Sequence, residues 1–263
     1  MPFAQDDSVR IYWKLEGKSD RPPLVLLNSI GTEMALWDRA MPHLLDRFLV
    51  LRIDTRGHGA SDAPAGDYDL ALLGRDVLAA MDAAGLDRAV VAGVSLGGMM
   101  AMELALMAPA RVSGLGLVCT TATTHKEMWA ERIAKVRAQG MASIAEAVMP
   151  RFLDTAFRET CPEYAETIRR AFLATSPDGY SGCGAAIRDM ALIDRLGDID
   201  VPTLVVIGTL DQATPLAGNG EFILAGIAGS AMAEVPGAHL SPLGAPRELA
   251  AVLAGHFIKE EGR

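Results

Sequence analysis

Apolar residues in this chain gather in short runs, separated by longer stretches with helical spacing. "VRIYWKLEG" (Val9 to Gly17) alternates apolar and polar residues, which predicts a strand with one buried face. "PLVLLNS", "FLVLRID", "AVVAGVS", "VSGLGLVCT" and "TLVVIGT" are nearly continuous apolar runs instead. Alternation disappears when both faces of a strand are covered, so these five predict interior strands of a parallel sheet. Between them, Leu70 to Ala84 and Leu96 to Ala108 carry alanine and leucine at helical spacing. Strands alternating with helices predict an α/β fold, with a mostly parallel central sheet and helices on both faces.

From about Thr121 to Asp198 the rhythm fails. No convincing apolar strand appears there, only helix-like and loop-like sequence such as "KEMWAERIAKVRAQGMASIAEAVMPRFLDTAF". Alternation resumes at Val201. A helical insertion after one strand of a parallel sheet lies over the carboxyl edge, where such sheets bind ligands. The expected organisation is therefore a core of residues 1–120 and 199–263, with 121–198 inserted as a helical cap.

Within this pattern, "AVVAGVSLGGM" puts one serine between small residues where a strand gives way to a helix. G-x-S-x-G alone is a weak signal. It gains weight after a strand and before a helix, because the tight turn forces the serine into a strained conformation that only tiny neighbours tolerate. Gly93 and Gly97 stand at the two required positions, which makes Ser95 the candidate nucleophile; a helix-capping serine is the plainer alternative. A serine needs a base and an orienting acid. Of five histidines, His43 lies in helix-like "MPHLLDRF", His58 in turn-rich "DTRGHGASD", His125 at the start of the insertion and His256 in the last helix. His239 differs, because "AEVPGAHLSP" puts it in a loop just past a short strand. Asp211 ends the strand "TLVVIGTLDQATP" between the two, giving the chain order nucleophile, acid, base. Asp54, in "DTRGHG", precedes the serine and reads as a turn-stabilising residue. Two backbone donors are expected to meet the oxyanion: the amide of Leu96, directly after the serine, and that of Ile30 in "NSIGT".

Composition narrows the chemistry. The 263 residues (27.8 kDa) are 50% apolar and 22% charged, as in globular proteins, and the net charge of −9 argues against nucleic acid as a partner. No apolar run reaches the ~18–20 residues of a membrane helix, and no basic segment followed by an apolar one suggests secretion. Three widely spaced cysteines, Cys119, Cys161 and Cys183, argue against a disulfide framework and suit a reducing cytoplasm. No cluster at metal-ligand spacing appears, and no cofactor is expected.

"NSIGTEMALWD", "DTRGHGASD", "GVSLGGM", "GTLDQATP" and "GAHLS" in this order resemble the α/β-hydrolase superfamily over the full chain. Within it, the chain is most similar to the 3-oxoadipate enol-lactonases of bacterial aromatic-ring catabolism. "NS" where many relatives have His-Gly, "MWAERIAKVRAQGMASIAEAVMPRF" and "GYSGCGAAIRDMAL" carry the narrower likeness. The resemblance implies an α/β-hydrolase fold, with Ser95, Asp211 and His239 as the catalytic set and a substrate pocket formed by the cap. Trp129 would line that pocket, although it serves equally well as an anchor packing the cap on the core. The implied reaction opens an enol-lactone; a carboxylesterase or other Ser-His-Asp hydrolase of the same fold is the alternative, and a non-catalytic ligand receptor is the reading of another class. A substrate carboxylate needs a local cation against the acidic field. Arg132 and Arg188 are the cap candidates put forward, with Lys135 and Arg137 beside them; Arg56 reads as a structural residue of its turn. Self-association is left open. Pro242 with "LGAP" after "AHLS", and Met190, depart from the pattern of relatives.

Overall fold

The computed structural model describes residues 2–6 and 8–258. Among the described residues, eight strands form one sheet: β1 (Phe3–Asp6), β2 (Val9–Glu16), β3 (Pro23–Leu27), β4 (Leu49–Ile53), β5 (Ala89–Val94), β6 (Val112–Val118), β7 (Thr203–Gly208) and β8 (Ala231–Val235). Their order is β1-β2-β4-β3-β5-β6-β7-β8. β2 runs antiparallel to β1 and β4, and all the remaining pairs are parallel. The five apolar runs became β3 to β7, and every residue of β5 and β7 is buried. β2 is less buried than its alternation predicts: only Ile11 is fully covered, because β2 lies towards the edge of the sheet with only the short β1 beyond it.

The helices of the core are α1 (Met41–Leu44), α2 (Leu70–Ala83), α3 (Leu96–Met107) and, after the insertion, α9 (Glu221–Gly226), α10 (Ser241–Gly244) and α11 (Pro246–Phe257). α2 begins where Asp69 caps it, its carboxylate accepting from the Leu72 amide. Helix approach is visible in β6. A Cβ on Gly114 would fall 2.7 Å from Phe257, and one on Gly116 would fall 2.8 Å from Leu253, both of α11. Side chains alternate along a strand, so Leu115 and Leu117 turn to the opposite face. Between β6 and β7 lie five helices, α4 (Lys126–Gln139), α5 (Ala142–Phe152), α6 (Thr155–Thr160), α7 (Pro162–Ala174) and α8 (Pro177–Asp189), followed by a short 3-10 turn over Ile193–Asp198. Among the described residues, no helix is long and apolar enough to cross a membrane.

This topology fixes where a ligand can bind. After β3 the chain first builds β4 on one side, then crosses to place β5 on the other. Loops leaving β3 and β5 therefore diverge and leave a crevice at the carboxyl ends of the strands. Residues 28–33 and Ser95 stand on its two sides.

Candidate active site

Ser95 occupies the sharp turn between β5 and α3 with φ 54° and ψ −115°, a conformation that L-residues avoid. Strain of this kind costs about 1–3 kcal/mol and persists only when the surroundings enforce it. Here they do. The Ser95 amide donates to the Val118 carbonyl at 3.0 Å, and the Thr120 hydroxyl donates to the Ser95 carbonyl at 2.6 Å. The flanking glycines are required by proximity: a Cβ on Gly93 would lie 2.2 Å from the Gly97 carbonyl carbon, and one on Gly97 would lie 2.5 Å from the Leu27 carbonyl oxygen.

His239 follows β8, and Asp211 follows β7. Asp211 Oδ2 lies 3.0 Å and Oδ1 3.2 Å from His239 Nδ1. Three further donors hold the carboxylate: the Thr214 hydroxyl at 2.7 Å, the Ala213 amide at 2.7 Å and the Thr214 amide at 3.2 Å. Burial alone pushes the Asp211 carboxyl up. The charge of an imidazolium at His239 and these hydrogen bonds outweigh burial and hold it well below the usual carboxylate range. Both side chains are buried, Asp211 completely. Thr214 was missed in the sequence, although Asp-x-x-Thr at the start of a turn is a signal for a side chain bonding back to its own loop.

Ser95 and His239 face one cavity of about 260 Å³, room for a small molecule. Among the described residues no hydrogen bond joins the two side chains; such contacts commonly tighten only when substrate is bound. Ile30 lines the same cavity. The amides of Ile30 and Leu96 donate to no acceptor among the described residues. Leu96 opens α3, so its amide also lacks an intrahelical partner and sits at the positive end of the helix dipole.

The helices between β6 and β7, called the cap from here on, supply much of the remaining wall. Met128, Trp129 and Arg132 share one face of α4, with His125 at its N-cap, and Val148, Arg151 and Phe152 line the cavity from α5 at i, i+3 and i+4. Trp129 is thus both a lining residue and a packing one, since it is buried and the Arg132 guanidinium sits 4.8 Å above its ring. Arg132 forms no ion pair among the described residues. Arg151 donates to the Gln212 carbonyl at 3.2 Å and lies 3.4 Å from that of Ala213, so it ties α5 to the Asp211 loop. Arg188 does not belong to this wall. It donates to Asp67 at 3.0 Å and to Asp189 at 2.5 Å, outside the cavity, because Ile187 takes the inward position on α8 and the next residue points about 100° away. Arg137 also pairs with Asp67, and Lys135 is exposed.

His43, His256, Asp54 and Arg56 lie outside this wall. His43 is exposed, and His256 stacks edge-on with Phe257. Asp54 accepts from the Met34 and Ala60 amides, closing its turn. Arg56 forms a buried two-point pair with Asp76 at 2.6 and 2.8 Å. Pro242 fits as a helix-starting residue in α10, directly after the His239 loop, and Met190 is buried in the core.

A family model for the alpha/beta hydrolase fold matches residues 22–245. The chain belongs to the α/β-hydrolase family. This α/β-hydrolase is 32% identical to 3-oxoadipate enol-lactonase 2 of Acinetobacter baylyi over 245 residues, 93% of this chain and 91% of that one. Its structure superposes on the enol-lactonase of Burkholderia xenovorans LB400 with a TM-score of 0.94 at 32% identity, covering 98% of this chain and 100% of the other. A hydrolase from Pseudomonas aeruginosa PA01 is 38% identical, with a TM-score of 0.92 and 98% of each chain covered. With 93% or more of the chain covered, most of the segment between β6 and β7 lies within these matches.

Proposed function

We propose that this hydrolase opens a small anionic enol-lactone of the 3-oxoadipate type through an acyl-enzyme on Ser95. The observation that carries the reading is one cavity in which Ser95, His239 and Arg132, which forms no ion pair among the described residues, meet, in a chain that matches enol-lactonases over 93–98% of its length. Ser95 Oγ attacks the ring carbonyl as His239 Nε2 takes its proton, and the ring acyl C–O bond then breaks. The Ile30 and Leu96 amides stabilise the tetrahedral oxyanion. Asp211 holds the imidazole with Nδ1–H towards itself and stabilises the imidazolium, without taking the proton. Arg132 receives the substrate carboxylate, and Trp129 backs it.

The leaving group is an enolate, less basic than an alkoxide, so proton delivery by His239 is less demanding than in amide hydrolysis. It stays tethered to the acyl-enzyme, where its high effective concentration favours reclosure. Protonation and tautomerisation to the ketone remove that nucleophile. Water, activated by His239, then attacks the acyl carbonyl, and Ser95 Oγ leaves with the proton.

The test is the loss of enol-lactone ultraviolet absorbance with purified protein, with p-nitrophenyl acetate as comparator. Fast lactone turnover is expected, falling by about 10³-fold or more in Ser95→Ala. Rapid ester cleavage with no lactone consumption would replace the reading with a carboxylesterase.

A further inference from the structure

His58 is buried in the turn after β4 and has no part in the chemistry above. Its Nε2 accepts a hydrogen bond from the Gly31 amide at 2.8 Å, so that nitrogen carries no proton. Its Nδ1 lies 3.2 Å from the Arg56 carbonyl, an acceptor, and therefore carries the hydrogen. The ring is thus neutral and in one tautomer, and burial supports this by pushing its pKa down to about 4.

Gly31 is placed where this hydrogen bond matters. Residues 29–32 form a turn closed by the Thr32 amide donating to the Ser29 carbonyl at 3.1 Å. Gly31 is its third residue, with φ +75°, as a type II turn requires. The amide that His58 accepts belongs to the central peptide of that turn, the unit that rotates when a turn changes type. The turn is also packed closely: a Cβ on Gly31 would fall 2.6 Å from the Phe172 ring of α7. The Ile30 amide is one residue before this peptide, and its direction follows from how the turn is set.

We propose that His58 is a positioning residue: through the Gly31 amide it fixes the Ser29–Thr32 turn so that the Ile30 amide points at the developing oxyanion. This rests on the assignment of Ile30 under the proposed function. A hydrogen-bond acceptor at this place is what the role demands, which separates it from simple filling of the core.

The full chain is compared with His58→Leu, which fills space without accepting, and His58→Gln, whose Oε1 can accept from Gly31. Rates are read with p-nitrophenyl acetate, and oxyanion binding with phenylboronic acid, whose anionic adduct on a serine places an oxygen among the same donors. Loss of a whole oxyanion donor costs about 10²–10³-fold, so His58→Leu should lose roughly tenfold or more in kcat with KM within about threefold, and lose boronate affinity in similar measure. His58→Gln should recover to within about threefold of the parent on both readouts. Unchanged kcat and boronate affinity in folded His58→Leu, or a His58→Gln as impaired as His58→Leu, would overturn the proposal. Should His58→Leu not fold, His58→Gln and the imidazole ¹⁵N shifts of the parent decide: an unprotonated Nε2 at neutral pH supports the role, and a protonated one overturns it. Neither probe requires a lactone, so failure of lactone turnover with ester cleavage intact would sink the proposed substrate and leave this test standing.

Discussion

At the rim of the sheet, Asp211 is gripped by His239, Thr214 and two amides, and Ser95 is held in a left-handed conformation by hydrogen bonds and glycine contacts. In the cap, Arg132, Arg137 and Arg188 are chemically alike and sit on ordinary helices, yet one faces the cavity and two face Asp67. Rim residues owe their places to backbone, whereas cap residues owe theirs to the rotation of a helix about its axis. Substitution at the rim should therefore disturb chemistry on every substrate. In the cap it should discriminate between substrates, or do almost nothing.

The largest effect expected from breaking the rim is Asp211→Asn. The amide can replace the carboxylate in shape, but it cannot stabilise an imidazolium and it favours the wrong tautomer. A loss in kcat of about 10³–10⁴-fold is expected on both enol-lactone and p-nitrophenyl acetate. A loss confined to the lactone would mean that Asp211 acts on substrate rather than through His239.

The contrast also explains what could be read from the chain alone. β3 to β7 were legible because strands covered on both faces are apolar throughout, and Ser95 was legible because close backbone approach leaves only glycine at 93 and 97. β1 escaped notice: "FAQD" is four residues at an edge, too short for a period to emerge. Arg188 was expected at the substrate and lies elsewhere. Charge in the cap is visible in the sequence, but its direction depends on which helix face packs inward. The series His125, Met128, Trp129, Arg132 contained that information at i, i+3, i+4 and i+7, and so indicated Arg132 over Arg188.

His58 extends the rim logic to stability. Unfolded, its imidazole takes up a proton as pH falls below about 6.5, whereas in the fold it stays neutral until about 4. Its contribution is full above about pH 7, drains as pH falls from 6.5 to 4, and is constant below that. The gap corresponds to about 3 kcal/mol for a group this buried. Urea denaturation of the parent and of His58→Gln across this window isolates the term, because the other titrating groups are common to both. A difference in stability that does not change between pH 7 and pH 4 would show that the imidazole protonates equally in both states.

Arg132→Met sharpens the comparison from the cap side. It removes one of the two arginines that line the cavity while keeping a chain long enough to cover Trp129. KM for the anionic enol-lactone should rise about tenfold or more, the worth of one charge-assisted hydrogen bond, with KM for p-nitrophenyl acetate within about twofold. Equal losses on the charged and neutral substrates would make Arg132 a packing residue and leave Arg151 as the arginine of this wall to meet a substrate carboxylate.

Arg188→Met is the smallest effect and the sharpest control on that result. It removes the same charge from the same cap, one helix away, but from a guanidinium already engaged by Asp67 and Asp189 at a partly exposed site. Surface pairs of this kind contribute about 0–1 kcal/mol, so a slight fall in Tm is expected from a weaker tie between α8 and Asp67. KM for the lactone should stay within about twofold, since the long-range field of one charge is screened over roughly 8–10 Å at ordinary salt. A rise in KM matching that of Arg132→Met would mean that the cap's overall charge, rather than a direct contact with Arg132 inside the cavity, selects the anionic substrate. Repeating both measurements at high salt then separates the two cases, because a diffuse field collapses with ionic strength while a direct contact inside the cavity largely survives.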